Sequence, residues 1–594
     1  MILGSALDDV RDLEELDLSR NRLKWFGKTL FGRMRRLKKL SVAKNWFSAL
    51  GEGTFAALTS LEYLNLARNQ LESIDPHQLR YNVNLKRLIL DGNRLLEIPY
   101  GAFATLYSLT HLSVANNSLL SVPTAAFGDV DQQRSLRYLN MDRNQLTDIS
   151  RYDFYRFPRL ATLTLAWNNV TRIGDHAFVD LESLETLALD WNRVERLADE
   201  CFRGLTSLRS LTLSHNFVAE LRRPVFGDLR RLERLDLSHN RLDVINTRTF
   251  DGLRRLRELR LDHNRLRLIA DSGLAVGRET RLTWLYLDHN LLDRLTRPML
   301  DGLSHLKFLG ASKNRVADVE VDAFQNVTRL ATLLVHHNRI GYLESGVFKA
   351  LANLRHLNVA SNHIQVLPRD VFVGLDRVGD INMDDNELVE LDLRAFHATP
   401  HLHSFSGRSN HLRVADLRLR QYAPNLRILD LAENRISELI PPENDDGGFF
   451  PIGGGLSMLS LAENSLQTMD KDVVKALSRD GATVRVHGNP WYCDCRLDWL
   501  MTVLRRRSRH KVDHPNSVIC KSPPYLAGRK VNTLIFNFII SYILVHCVRF
   551  SSSVFYRYCR ECNGDYSLNH RTSQTADNDP GLTASPNFEN HSSA

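Results

Sequence analysis

Cysteine is almost absent from most of this chain: of seven cysteines in 594 residues, only Cys201 comes before Cys493. Whatever the first 490 residues build, they build it without disulfide staples. The N-terminal stretch MILGSALDDVRDLEELDL has no basic n-region and no apolar run of signal-peptide length, which read alone denies the chain a secretory leader. No Gly-Lys-Ser or Gly-Lys-Thr follows the glycine-rich stretch Pro441 to Gly455, so a phosphate-cradling loop is excluded. No nucleophile is patterned with a general base, and the chain is read as a non-enzyme with no cofactor and no metal. Global disorder is excluded by 43% apolar and 25% charged residues. A net charge of +8 is thin over this length, so a polyanion would need a local basic patch.

What the chain has in abundance is one repeat. The pattern LxxLxLxxNxL first reads as Leu13, Leu16, Leu18, Asn21 and Leu23. Its asparagine occurs twenty times in all, from Asn21 through Asn45, Asn69, Asn93 and onward to Asn464 and a degenerate Asn489, mostly 24 residues apart. The alternation around LxL predicts a short strand with its leucines inward, a face that one strand cannot bury alone. Stacked coils share that core and form a parallel sheet about 90 Å long at about 4.8 Å per strand. A buried asparagine amide both donates and accepts, so it can satisfy loop backbone in its own and the adjacent coil.

A second apolar row runs from Phe31, Phe55 and Phe103 to Phe348, Phe372 and Phe396, with Leu79, Leu274 and Leu300 where phenylalanine is missing. It is expected to be the packed spine of the convex side. On these residues the chain resembles the leucine-rich repeat family, and its 24-residue period with a phenylalanine spine resembles the extracellular class. The resemblance implies an α/β solenoid, a curved horseshoe with a parallel sheet on the concave face and an irregular, short-helical convex face. Residues 13–489 are read as about twenty repeats, preceded by an incomplete N-terminal edge at 1–12. The longest break in the period, Pro441 to Gly455, is expected to protrude as a loop.

A stacked core needs a terminal cap. NPWYCDCRLDWL, followed by VICKSPPYLAGRKV, resembles the small α-rich, cysteine-rich C-terminal cap of extracellular members, placed at 490–533. The resemblance implies a Cys493–Cys520 disulfide, with Trp491 and Trp499 over the last coil, and hence an extracellular or plasma-membrane setting. The competing zinc reading lacks paired cysteines at the usual two- to four-residue spacing. Cys495 finds no fourth cysteine where the family places one; the next is Cys547, inside the apolar run Leu534 to Val548. That run makes a helix of about 22 Å, short against a bilayer core of about 30 Å. Either 534–555 is a membrane anchor, with Cys559 and Cys562 beyond it as palmitoylation sites, or Cys547 closes the cap with Cys495. A chain truncated or spliced at both ends is the third reading. Residues 556–594 form a polar tail expected to be disordered.

Binding residues are sought on the concave face. Trp284, Tyr286 and Phe308 point outward in adjacent repeats, and Trp167 and Trp191 sit side by side at strand exits. His215, His239, His263 and His289 occupy one slot just before the ladder asparagine, about 5 Å apart on stacked strands. They are a strip that charges near pH 6, ordinary loop-edge choices in "SHN" and "DHN", or, with Asp262 and Asp288 beside the last two, a metal site, for which a linear row is the wrong geometry. Arginine follows the asparagine at Arg22, Arg94, Arg193, Arg241, Arg265, Arg315, Arg339 and Arg435, and Arg505 to Lys511 is a second basic stretch. Glycosylation sequons start at Asn116, Asn169 and Asn326.

The expected partner is an extracellular protein ligand or cell-surface receptor bound on the concave face in recognition or adhesion, with a homodimer as a further option. The alternative is an anionic polymer held by the arginine flank and histidine row, with glycosaminoglycan favoured over nucleic acid.

Overall fold

The computed structural model describes residues 10–534 except 28, 129–134, 223–224, 276–279, 419–421, 442–454, 471–472, 474–481, 495–496, 498–499 and 501–511. Twenty three-residue strands form one parallel sheet, from Glu15–Asp17 to Thr483–Arg485. Register is strict, because a slip would turn every leucine to water. Leu163, Leu187, Leu211, Leu235 and Leu259 stand opposite one another down successive strands, all fully buried. At the first strand Leu13, Leu16 and Leu18 are only partly buried.

The asparagine ladder forms as its chemistry requires. Asn192 Nδ2 donates to Leu165 O of the preceding coil at 2.9 Å and to Leu189 O and Asp190 O of its own at 3.0 and 3.3 Å. Its Oδ1 accepts from Val170 N at 3.0 Å. The amide thus joins two coils and leaves no buried polar atom of its own unmet. On the convex side the phenylalanine spine is buried, with Phe178, Phe202, Phe226 and Phe250 at centroid spacings of 6.1–6.2 Å. Where it is described, the convex side is built of turns, with short outer sets of two or three strands, the 3-10 turns Thr124–Phe127 and Leu393–Ala398, and an α-helical turn, Arg297–Leu300, capped by Thr296.

Cys493 and Cys520 are bonded, their Cα atoms 5.8 Å apart. Trp491 is fully buried beneath them and donates Nε1–H to Val486 O at 3.1 Å, sealing the last coil. The described part of the cap is a parallel strand pair, Trp491–Tyr492 with Cys520–Ser522, and three 3-10 turns. Cys495, Trp499, most of residues 495–511 of the cap including Arg505 to Lys511, nearly all of the Pro441 to Gly455 loop, Cys547 and the ends at 1–9 and 535–594 lie outside the described residues. Cys201, the one cysteine within the repeat body, is a buried free thiol that serves as a small apolar core residue.

Candidate functional site

In each coil the residue before the ladder asparagine adopts left-handed backbone, a conformation that usually selects glycine or asparagine. Here Trp167, Trp191, His215, His239, His263 and His289 hold φ between 52° and 58°. The bend is held by cross-coil bonds: Trp191 N donates to Ser214 O at 2.9 Å, and His239 N to Asp262 O at 3.0 Å. With identical backbone in six successive coils, the side chains leave in parallel and their rings stack.

The spacings are 4.2 Å for Trp167 on Trp191, 3.7 Å for Trp191 on His215, 4.0 Å for each of the next two steps and 3.9 Å for His263 on His289. Interplanar angles stay within 8–18°. The tryptophan pair and the histidine row, separate features in the sequence, are therefore one six-ring stack. Their spacing is tighter than the strand separation because the rings lean together into van der Waals contact. The guanidinium of Arg143 lies over Trp167, 4.5 Å from the ring centroid, and closes one end.

The concave patch is also assembled. Trp284 is 42% exposed and stands opposite Phe308 in the sheet, while Tyr286 and Phe308, both half-buried, have ring centroids 4.9 Å apart. Arg260, absent from the sequence-based candidates, links patch and stack. Its guanidinium lies over the Tyr286 ring at 4.9 Å, and its Nε donates to Asp262 Oδ1 at 3.3 Å. Asp262 is buried, and its Oδ2 lies 3.1 Å from His263 Nδ1. Gly310, opposite Tyr286, leaves room for Asp288: a Cβ there would meet Asp288 Oδ2 at 2.3 Å.

Burial holds His215, His239 and His289 below the usual imidazole value of 6.5, and the adjacent His263 adds to the effect at His239 and His289. Burial acts oppositely on the carboxyls beneath the edge, raising Asp142 and Asp236. Among the described residues, one group could gather a cation, since ligand atoms of His239, Asp262 and His263 lie within 4.8 Å of one another. The Arg260 charge on the same carboxylate opposes that use.

The arginines after the ladder asparagine are exposed, but several are occupied: Arg241 sits 4.1 Å from the Phe217 ring centroid and Arg94 lies 4.0 Å from Glu72. Of the sequon asparagines, Asn116 is exposed in the left-handed slot two coils before Trp167, and Asn169 is half-buried. Asn326, in a convex-side turn, donates its amide to Asp301.

A leucine rich repeat model matches residues 11–71, 35–95, 83–146, 108–170, 158–218, 206–266, 312–364, 328–388 and 352–412, and a second matches 425–444. The chain belongs to the leucine-rich repeat family. This leucine-rich repeat protein is 30% identical over 117 residues to a phospholipase A2 inhibitor of Gloydius brevicaudus siniticus, covering 20% of the chain and 32% of the relative. It is 32% identical over 97 residues to leucine-rich repeat-containing protein 3B of Homo sapiens, covering 16% and 33%. The chain thus spans about a third of the length of these relatives. Its fold is similar to a chain of the Toll–Spatzle complex of Drosophila, with a TM-score of 0.57 and 20% identity over 91% of this chain and 82% of that one. Among the described residues of the repeat protein, no helix is long and apolar enough to cross a membrane.

Proposed function

We propose that this leucine-rich repeat protein works outside the cytosol as a recognition or adhesion module, and that it binds a protein partner on its concave face. One observation carries the reading. The Trp284, Tyr286 and Phe308 patch is continuous, through Arg260 and Asp262, with the six-ring stack at the sheet edge. Clustered aromatics and arginine at the centre of a polar face are the usual anchors of a protein interface. Left-handed backbone and cross-coil bonds hold the stacked rings in place, so little side-chain entropy is lost there on binding. The Cys493–Cys520 disulfide supports an oxidising compartment. The fold shared with a chain of the Toll–Spatzle complex, itself a protein–protein assembly, is consistent with this role.

The histidine row and arginine flank offer less to an anionic polymer, because burial disfavours charge on three of the histidines and neighbouring side chains engage several arginines. The test is a screen of the secreted chain against an array of extracellular protein domains, repeated with Trp284→Ala and Phe308→Ala. A hit lost in both variants at unchanged secretion supports the reading. Hits that survive both substitutions refute it, and loss of secretion would make these rings structural.

A further inference from the structure

The residue just before each strand lies on the edge opposite the ring stack and follows a pattern of its own. Along two stretches it alternates in sign: Glu14, Lys38, Glu62, Lys86, and again Glu185, Arg209, Glu233, Arg257. Neighbouring coils turn the alternation into ion pairs, Lys38–Glu14 and Lys86–Glu62 at 2.9 Å and Arg209–Glu233 at 3.2 Å. From Lys307 the acids disappear, and the same positions read Lys307, Ala331, Arg355, Gly379. Arg329 and Arg377, each two residues upstream of a small residue, add charge where the alternation would have placed a carboxylate.

Lys307, Arg329, Arg355 and Arg377, with Ala331 and Asn353, line an open groove of about 540 Å³. All four cations are exposed, and among the described residues none of them forms an ion pair. Arg377 Nη1 donates to Asn353 Oδ1 at 2.9 Å, and Asn353 Nδ2 donates to Thr328 O at 2.9 Å, which fixes one wall. Asp380, on the following strand, is engaged by His356 at 2.8 Å.

We propose that this groove binds a sulfated glycan chain. Four like charges from four consecutive coils span about 14 Å at the strand spacing, too far for one small anion and suited to a polymer with repeated anionic groups. Their mutual repulsion is relieved when such a ligand is bound. No aromatic ring lines the groove, so nucleobases find nothing to stack on, which favours a sulfated saccharide over single-stranded nucleic acid. The lining also lacks the large apolar anchors that a protein partner would use. The site is independent of the concave patch: the polyanion expected on the arginine flank belongs instead on the other edge of the sheet.

The experiment measures binding of the full chain to a heparin-derived octasaccharide by fluorescence anisotropy over a range of salt. Ala331→Glu with Gly379→Glu restores the alternation found elsewhere. Both sites face the edge, and a side chain fits at Gly379, where an added Cβ meets nothing nearer than His403 Nδ1 at 3.6 Å. This pair, and separately Lys307→Ala with Arg355→Ala, is expected to weaken binding about tenfold or more and to flatten the salt dependence. Trp284→Ala should bind the octasaccharide normally, which separates this site from the concave patch. The proposal is overturned if the glutamate pair, folded by its melting curve, binds as wild type does. If that pair does not fold, unchanged binding by the exposed lysine–arginine double variant overturns it. Equal binding of the desulfated octasaccharide, or tighter binding of an oligonucleotide or polyglutamate of matched charge, also overturns it.

Discussion

The imidazole of His215 lies flat on the indole of Trp191, 3.7 Å from centroid to centroid and 11° from parallel. Protonating that ring places a cation on the indole face and changes its emission. Tryptophan fluorescence should therefore titrate with a midpoint below 6.5, because burial lowers the His215 value. His215→Gln should remove most of the transition; an unchanged titration curve would show that the contact is not formed in solution.

Stability should also follow the histidines. His239 and His289 titrate below 6.5 in the folded chain because burial penalises their charge. Between the folded and unfolded values the unfolded chain binds more protons, so stability rises with pH there. It is complete above about 6.5 and is lost as pH falls toward the folded values. Melting curves from pH 7.5 to 5.0 should show the loss, and His239→Gln with His289→Gln should reduce it.

Replacing Asn192 by leucine keeps the volume roughly but strands Val170 N, whereas Leu165 O, Leu189 O and Asp190 O each keep a second donor in Asn168 Nδ2, Asn216 Nδ2 and Trp167 N. At about 1–3 kcal/mol for a buried group left unmet, a loss in that range is expected in urea unfolding. A loss below about 1 kcal/mol would mean that water replaces the amide.

Gly310→Ala should displace the Asp288 carboxylate, which a new Cβ would meet at 2.3 Å. Asp288 Oδ1 accepts from Ser312 N at 2.8 Å and also from the Ser312 hydroxyl, so both bonds are put at risk. A destabilisation of about 1–3 kcal/mol is expected, together with weaker partner binding through the adjacent Tyr286. A neutral substitution would show that the carboxylate moves freely.

The repeat body was legible because its signals are single residue types at one period. The ladder asparagines, the leucines of LxL and the phenylalanine spine all occupy the places their spacing implies. Cys493 and Cys520 pair as the cap resemblance implies. The ring stack was legible only in pieces: positions 167, 191, 215, 239, 263 and 289 share one slot, but the change from tryptophan to histidine hides the continuity. Left-handed backbone in that slot was not legible, since along the array only Gly92, Asn116 and Gly488 advertise it. Arg260 escaped notice because its importance lies in where its side chain reaches. The imidazoles sit near 4 Å instead of the strand spacing because ring direction, not backbone rise, sets ring contact.

The asparagine ladder has a polarity. Asn192 reaches back to Val170 N and Leu165 O, 22 and 27 residues earlier, and makes no such bond to the coil that follows. The amide bonds of each joint are therefore made by the later of its two coils, like roof tiles hooked in one direction. Stripping a coil from the high-numbered side releases its grip on its predecessor, while stripping one from the low-numbered side leaves the next coil's own amide bonds in place. Peeling the array by force from its two sides should accordingly give different ruptures, so that its resistance to unravelling depends on the direction of pull.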